Sequence, residues 1–536
     1  MDGIPFSGDY ILKRKVINYL YRPEWTCGRY DEQYRVAIFY NLIEGMAYFF
    51  EDVSADVICE ILSVKKNETI SISHILKNVG LVMEELNPFL SVLLDRGLIT
   101  TSIPNQDDIA EYRNNVRLKK RQHVESARIE FQEQSVINTT DAERLYTERV
   151  ESITSVMFEL TYRCSEACIH CYNPGATRNG EETNERGKRI ELGINDYKRI
   201  IDELYDQGLV KVCLSGGDPF SKPIVWDILN YLYQKGIATD IFTNGISIYK
   251  DAKRLAAYYP RTIGISFYSN IPEVHDSITR VKGSHGKTLS FIKECSQLGL
   301  SMYLKCCIMK PNVKSYYTVK DVAYMYGALP QFDLNITDSV EGDVCASTNL
   351  RLNNEMMEIV LRDKDLPYYI SAVGDVLENS PKPDGSGKMC NAGFTSICIT
   401  PEGNIQPCCA FPMKFGSVKQ GKIVEVLKNS KPYMWWRSKV LSDCSECHQH
   451  PYCVFCQMCA GNNYIANGTP LKPSKNNCTI AKERYYLALK MKDGYDPLQG
   501  KSLEDRLAEL TVDIPVLYRN FSKNYRDIYG VNEVSQ

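Results

Sequence analysis

The spacing of hydrophobic positions changes along this chain, and each change marks a different kind of element. Within residues 1–105, "YRVAIFYNLIEG" and "MAYFF" carry the β-branched and aromatic density of strands, with a glycine-containing turn between them. "SADVICEIL" then repeats apolar residues every three to four positions, with Ser54 expected as its N-cap. "SISHILKNVG" opens on a polar cap and closes on Gly80. "MEELNPFLSVLLDRGLIT" reads as a third helix, ended by Gly97 and running into a short strand. Strands, three helices and a strand make a winged-helix-like unit. Residues 106–150 are charged and lack a broad apolar face, which predicts a solvated helix or linker. Their "RLKKR" cluster reads as a solvated face rather than a binding patch.

From residue 151 the pattern becomes a regular alternation. Six β-rich runs, "SVMFELT", "VKVCLSGG", "ATDIFTNG", "TIGISFYSN", "SMYLKCCIMK" and "FDLNITDS", recur with helical stretches between them, among them "NDYKRIIDELYDQG" and "KPIVWDILNYLYQKG". Such alternation implies parallel β/α units, whose ligands gather at the carboxyl ends of the strands. Cys164 follows the first run, "SGGDP" ends the second and "TNG" the third, so the unusual residues converge on one mouth.

Composition narrows the chemistry. The chain has 536 residues, 44% of them hydrophobic, and a net charge of −3. That charge gives no general attraction to nucleic acid, and the acidic "MEEL" of the third helix argues against DNA binding. No stretch approaches the roughly 20 apolar residues of a bilayer span. "MDGIPFSGDY" has neither the basic nor the apolar region of a secretory signal. The reading is a soluble, cytoplasmic protein without membrane or nucleic-acid partners. Its 20 cysteines are therefore expected to serve metal or catalysis rather than disulfides. Three lie at Cys164, Cys168 and Cys171, and ten more between Cys390 and Cys478. The other seven are scattered and read as small buried hydrophobes.

The first trio, in "RCSEACIHCYNPG", resembles the radical S-adenosylmethionine (SAM) superfamily: Cys-x3-Cys-x2-Cys directly after the first strand, continued by Tyr-Asn-Pro. Three thiolates on a four-iron cube leave one iron open. The resemblance implies that SAM chelates that iron, that its cleavage yields a 5′-deoxyadenosyl radical, and that the radical takes a hydrogen atom from substrate. It implies a partial (β/α)6 barrel over residues 151–370. It also assigns Gly216, Gly217 and Asp218 to the methionine amino group, with Asp in place of the commoner Glu. His170 takes the adenine position, Ser266 the ribose-contacting end of the fourth strand, and Asn244 is a further candidate. The glycines are expected to let backbone approach the ligand closely. "HDSITRVKGSHG" resembles a stretch common after the fourth strand in the SPASM subgroup.

The second field, "MCNAGFTSICITPEGNIQPCC", "DCSECHQHPYCVFCQMCAGN" and "NNC", resembles the SPASM domain, placed at residues 371–490, with a hairpin turning at Pro401–Gly403. That resemblance implies up to two auxiliary 4Fe–4S clusters. Cys390, Cys408 and Cys459 would hold the first, with Cys456 as runner-up to Cys459. Cys444, Cys447, Cys453 and Cys478 would hold the second. The fourth ligand of the first cluster stays open between Cys398, Cys409 and substrate. A zinc-ribbon-like fold is the ordinary alternative for paired cysteines. Residues 491–536 read as a helical tail.

Residues Val36–Thr101, with "LLDRGLI", resemble the RiPP recognition element first known from pyrroloquinoline-quinone biosynthesis. This small domain grips a leader peptide as an added strand at a sheet edge. A winged helix used only for packing is the alternative. Together the resemblances imply an enzyme that oxidatively modifies a ribosomal precursor peptide, most simply by a carbon–carbon, ether or thioether crosslink. Flavodoxin or ferredoxin would supply electrons. The alternatives are a sulfatase-maturase-like enzyme, a polyol or amino-sugar dehydrogenase, and a non-catalytic iron–sulfur scaffold. The residues name no general base.

Overall fold

The computed structural model describes residues 18–127, 139–172, 191–339, 345–370, 385–444, 446–447 and 449–512, excepting the side chains of 119–127, 139–140 and 345–347. Asn173 and Pro174 of the cysteine loop, and the tail from residue 513, lie outside them.

The N-terminal unit contains β1 (Tyr19–Tyr21), β2 (Thr26–Asp31), β3 (Val36–Asn41), β4 (Met46–Glu51), α1 (Asp52–Ser63), β5 (Thr69–Ser71), α2 (Ile72–Val79) and α3 (Met83–Asp95). β2, β3 and β4 form an antiparallel sheet, while β1 pairs with β5 as a separate ribbon. The expected β3, β4 and three helices are present; β1, β2 and β5 were not foreseen, and the short strand expected after Gly97 is reduced to a single bridge between Thr100 and Tyr21. Ser54 is not the N-cap of α1: the helix starts at Asp52, and the Ser54 hydroxyl donates to the Glu51 carbonyl inside its first turn. α2 follows its sequence signals, with Ser71 accepting from the His74 amide and left-handed Gly80 closing the helix. One face of the sheet, through Ala37 and Phe39, packs on Ile58, Leu90 and Leu94 of the helices.

The other face reaches the barrel through α4 (Gln106–Ala127) and α5 (Thr139–Val150). Here the expectation of a solvated linker is corrected. Ile109 and Val116 of α4, and Ala142, Tyr146 and Val150 of α5, join a buried cluster with Ile38, Tyr40, Ala47, Val210, Ala238 and Tyr259. Their spacing of seven, or of four and four, makes a narrow apolar stripe that the surrounding charges disguise. Lys119, Lys120 and Arg121 of the basic cluster are outside the described side chains. Glu143 ties the layers electrostatically, accepting from the Tyr40 hydroxyl at 3.3 Å and pairing with Lys211 and with Arg261, the latter at 3.4 Å. Val210, Ala238 and Arg261 lie at the amino ends of barrel strands. The N-terminal unit therefore sits under the barrel, opposite the mouth.

The barrel alternates β6 (Ser155–Glu159), α6 (Ile194–Asp206), β7 (Lys211–Ser215), α7 (Val225–Lys235), β8 (Ala238–Thr243), β9 (Thr262–Ser266), α8 (Pro272–Thr279), α9 (Ser284–Gln297), β10 (Met302–Cys307), α10 (Thr318–Met325) and β11 (Leu329–Asp333). All six strands are parallel neighbours in chain order. Val156, Phe158, Val212, Leu214, Ile263, Ile265 and Leu304 belong to the main core under the helices. The period of two then turns Glu159, Cys213, Phe242, Ser266, Lys305 and Cys307 toward the lumen. β11 begins three residues before the run expected for it, because Leu329–Asp333 takes register with Tyr303–Cys307. It stops where the Asp333 carboxylate accepts from the Asn335 amide at 2.7 Å.

The C-terminal hairpin, β12 (Ser396–Ile399) and β13 (Asn404–Gln406), forms as expected around Thr400–Gly403 and continues to β14 (Gly416–Ser417). β12 also pairs in parallel with β6, Ser396 opposite Ser155 and Ile399 opposite Phe158. One nine-stranded sheet, ordered β11-β10-β9-β8-β7-β6-β12-β13-β14, thus joins the barrel to the second cysteine field. α11 (Lys475–Lys492) carries Cys478 in its first turn. Among the described residues no helix is long and apolar enough to cross a membrane.

Candidate functional site

The loop bearing Cys164, Cys168 and Cys171 leaves the carboxyl end of β6 and is clamped on both flanks. On one flank, the Gly217 amide donates to the Thr161 carbonyl at 2.7 Å and the Asp218 amide to Arg163 at 2.9 Å. A Cβ on Gly216 would stand 2.3 Å from the Thr161 oxygen, and one on Gly217 would stand 2.4 Å from the Arg163 oxygen. Gly216 also adopts φ +132°. The glycine pair is therefore required by contact with the chain itself. On the other flank, the Ala167 and Ile169 amides donate to Thr279 and Ile278 at the end of α8, each at 3.0 Å.

Polar groups converge on the thiols. Cys164 Sγ accepts from the Glu166 amide and from Asn244 Nδ2, both at 3.4 Å. Cys168 Sγ lies 3.2 Å from Glu166 Oε2 and 3.9 Å from the Tyr268 hydroxyl. Burial, reinforced by neighbouring carboxylates, pushes the Cys164 and Cys168 thiols up. A bound cation reverses that balance and holds them as thiolates.

The remaining residues foreseen around this loop divide in two. Asp218 is fully buried and turned inward: Oδ1 accepts from the Phe220 amide at 2.9 Å, and Oδ2 from the Thr243 hydroxyl at 2.7 Å and the Asn244 amide at 3.1 Å. It braces the ends of β7 and β8 together through these three hydrogen bonds. Asn244, held through its carbonyl by Thr288 at 2.8 Å, aims its amide at Cys164 and at Ser165. Ser266 closes β9 on the lumen face, opposite Lys305 in register. The His170 ring meets Tyr268 edge-on at 4.9 Å, and its buried Nδ1 has no protein partner. Burial lowers the His170 pKa to about 4, so the ring is neutral. The "HDSITRVKGSHG" stretch proves to be scaffolding, with the Asp276 carboxylate accepting from the Ser284 hydroxyl at 2.8 Å and the His285 amide at 2.9 Å.

The lumen adds residues that the motifs did not single out. Glu159 ends β6 and accepts from the Tyr162 hydroxyl at 3.2 Å. Lys305 Nζ lies 3.6 Å above the Phe242 ring. Asp333, at the exposed end of β11, accepts from the Tyr368 hydroxyl at 3.0 Å. Tyr172, the residue after Cys171, lies beside the thiol of Cys409, the residue after Cys408. Strand alternation would have found Glu159, Lys305 and Asp333; Tyr172–Cys409 is a contact between distant loops that no local pattern signals.

The C-terminal cysteines form two groups. Cys390 and Cys459 both bear on the half-buried Cys408 thiol, and Cys459 also accepts from the Asn462 amide at 3.5 Å. The second group surrounds a cavity of about 80 Å³ lined by Cys447, Cys453, Cys456 and Cys478. Cys444 Sγ stands 2.8 Å from Cys447 Sγ. Cys456 thus falls in the second group rather than with Cys390 and Cys408, giving that group five thiols. Cys398 and Cys409 lie beside Glu159 on the lumen side. The donor sets are thiol-only and partly buried, chemistry that fits iron–sulfur clusters.

Residues 158–312 match the Radical SAM superfamily, and residues 390–460 match an iron–sulfur cluster-binding domain, SPASM. The chain is 26% identical over 332 residues to the antilisterial bacteriocin subtilosin biosynthesis protein AlbA of Bacillus subtilis, covering 61% of this chain and 70% of that protein. It is 28% identical over 263 residues to a PqqA peptide cyclase of Ruegeria pomeroyi, covering 48% and 67%. The crystal structure of Streptococcus suis SuiB bound to precursor peptide SuiA superposes with a TM-score of 0.51 at 14% identity, covering 85% of this chain and 99% of that one, a likeness of fold. With a three-thiol loop at the mouth of a parallel barrel and a thiol-rich C-terminal field on the same sheet, the chain is a radical SAM enzyme that uses a 4Fe–4S cluster and S-adenosylmethionine and carries a SPASM iron–sulfur domain.

Proposed function

We propose that this enzyme oxidatively modifies a ribosomally made precursor peptide, installing an intramolecular carbon–carbon, ether or thioether crosslink. One observation carries the reading: the three-thiol loop leaves β6, and Cys390, Cys398, Cys408 and Cys409 lie on or beside the hairpin whose first strand pairs with β6, so both cysteine fields border one continuous sheet. The names of the relatives, a bacteriocin biosynthesis protein and a peptide cyclase, point the same way.

Cys164, Cys168 and Cys171 would hold the SAM-binding cluster, with Asn244, Ser266 and His170 around the cosubstrate. Bound there, cluster and cosubstrate supply hydrogen-atom abstraction. Cys390, Cys408 and Cys459 would hold one auxiliary cluster; four of Cys444, Cys447, Cys453, Cys456 and Cys478 would hold the other. Crosslinking removes two hydrogens from the peptide. The first leaves as an atom; the second leaves as an electron, for which the auxiliary clusters are the sink, and a proton. Glu159 and Asp333 are lumen carboxylates suited to receive that proton. The N-terminal unit acts as a leader-binding recognition element, a flavodoxin or ferredoxin reduces the clusters, and the enzyme works in the cytoplasm.

The test is anaerobic incubation of reconstituted enzyme with S-adenosylmethionine, a reductant and the peptide encoded beside its gene. The expected product is lighter by two hydrogens. Unchanged peptide mass alongside rapid cleavage of S-adenosylmethionine would refute the substrate assignment. Replacing Cys164, Cys168 and Cys171 with Ala should abolish 5′-deoxyadenosine formation while the auxiliary clusters remain.

A further inference from the structure

One charged side chain of the barrel lumen has no part in the chemistry above. Lys305 extends from β10 beside Ser266 of β9, its partner in register. Its ammonium lies 3.6 Å from the centre of the Phe242 ring. Gly264 makes that arrangement possible. It stands in register with Phe242, and an added Cβ would come within 2.7 Å of Phe242 Cδ1 and 2.9 Å of Lys305 Cδ. The missing side chain lets the lysine stem lie back across β9 onto the ring.

The ring contact positions the ammonium without neutralising it, because an aromatic face attracts a cation through its quadrupole and carries no net charge. Among the described residues Lys305 forms no ion pair, and its ammonium donates to no protein acceptor. The lumen carboxylates are turned elsewhere. Glu159 accepts from the Tyr162 hydroxyl, and Asp333 Oδ1 takes both the Asn335 amide and the Tyr368 hydroxyl. Lys211, also on the lumen face of its strand, is different: it is paired with Glu143 at the floor. The Lys305 charge bears instead on the thiols of Cys213, Cys307 and Cys409. A cation left without a counter-ion in a partly dry cavity favours an anion from outside. The nearby carboxylates of Glu159 and Asp333 oppose a multiply charged phosphate more than a single carboxylate. A carboxylate also suits the compact ammonium and its three donors.

We propose that Lys305 anchors the substrate in the lumen by pairing with the side-chain carboxylate of an aspartate or glutamate of the peptide. The assignment rests on the peptide-modifying reading above and adds a requirement to it: an acidic residue must enter the barrel together with the residue that reacts. The test uses the reconstituted full chain and three probes, acetyl-Gly-Glu-Gly-amide, acetyl-Gly-Gln-Gly-amide and acetyl-Gly-Gln-Gly with a free C-terminal carboxylate. Binding is read from the broadening of each probe's acetyl proton resonance by the reduced, paramagnetic clusters. The glutamate probe should bind the wild-type enzyme about tenfold more tightly than the glutamine amide. That preference should vanish in Lys305→Met, which keeps a long stem against Phe242, and persist in Lys305→Arg. Affinity for S-adenosylmethionine, measured by equilibrium dialysis, should be the same in all three proteins. Equal binding of the glutamate and glutamine amides by the wild-type enzyme needs no variant to fold and would overturn the site. So would a preference that survives Lys305→Met, a preference for the C-terminal carboxylate alone, or a loss of S-adenosylmethionine affinity, which would assign the lysine to the cosubstrate. The wild-type enzyme is also given the peptide encoded beside its gene. Unchanged peptide mass with the glutamate preference intact would refute the proposed function; a lost preference with product formed would refute this anchor alone.

Discussion

Replacing Gly217 with Ala isolates one link between backbone packing and cofactor loading. Its Cβ would stand 2.4 Å from the Arg163 oxygen and 2.6 Å from the Tyr162 oxygen, both backbone atoms that no rotamer change can move. An ordinary carbon–oxygen contact is about 3.3 Å, so the overlap is roughly 0.9 Å. Overpacking of this kind costs about 1–3 kcal/mol. Moving the loop away instead weakens the Gly217–Thr161 and Asp218–Arg163 hydrogen bonds, each worth about 1 kcal/mol net. Either response displaces Cys164, the next residue after Arg163. The assay is iron and sulfide content after anaerobic reconstitution, with the low-temperature paramagnetic signal of each reduced cluster. The expected result is loss of about four irons per chain, one cube, with the auxiliary signals retained. Gly286→Ala is the control, since nothing lies within 4 Å of its added methyl group. A Gly217→Ala protein with full iron and undiminished 5′-deoxyadenosine formation would refute the claim that the glycine seats the cysteine loop.

Asp218→Asn should lower the unfolding free energy by about 1–3 kcal/mol in chemical denaturation, because one of three inward hydrogen bonds must then face a donor. His275 is buried with its pKa lowered to about 3. The unfolded chain therefore binds the extra proton below about pH 6.5, and stability falls as pH drops through that range toward 3. From pH 7 to pH 5 the loss is about 2 kcal/mol, and His275→Phe should remove that part of the slope in denaturation curves. Cys456→Ala should keep its full iron content, since four thiols of its group remain, whereas Cys447→Ala and Cys456→Ala together should lose about four irons per chain.

The parts of the molecule that were legible in the sequence are those with strong local grammar. The cysteine loop, Gly80 as the stop of α2, the hairpin around Gly403 and five of the six barrel strands announced themselves through spacing, turn residues and apolar runs. β2, "TCGRYD", escaped notice because a glycine and three polar side chains hide a strand whose partner, β3, supplies most of the burial. The stripes of α4 and α5 were masked by charge. Asp218 was legible as important, but only the tertiary contact with Thr243 and Asn244 reveals where the carboxylate points. The pairing of β12 with β6 spans more than two hundred residues, and no local pattern encodes it.

The docking of the N-terminal unit beneath the barrel sets a reach. Five-residue strands such as β6 and β7 separate the floor from the mouth by about 17 Å. An extended chain covers about 3.3–3.6 Å per residue. Any substrate gripped below must therefore spend at least about five residues merely climbing the outer wall, and more to turn inward at the rim. The geometry acts as a ruler: side chains too near the grip stay out of range whatever their chemistry, and the length of the tether decides which residue arrives first.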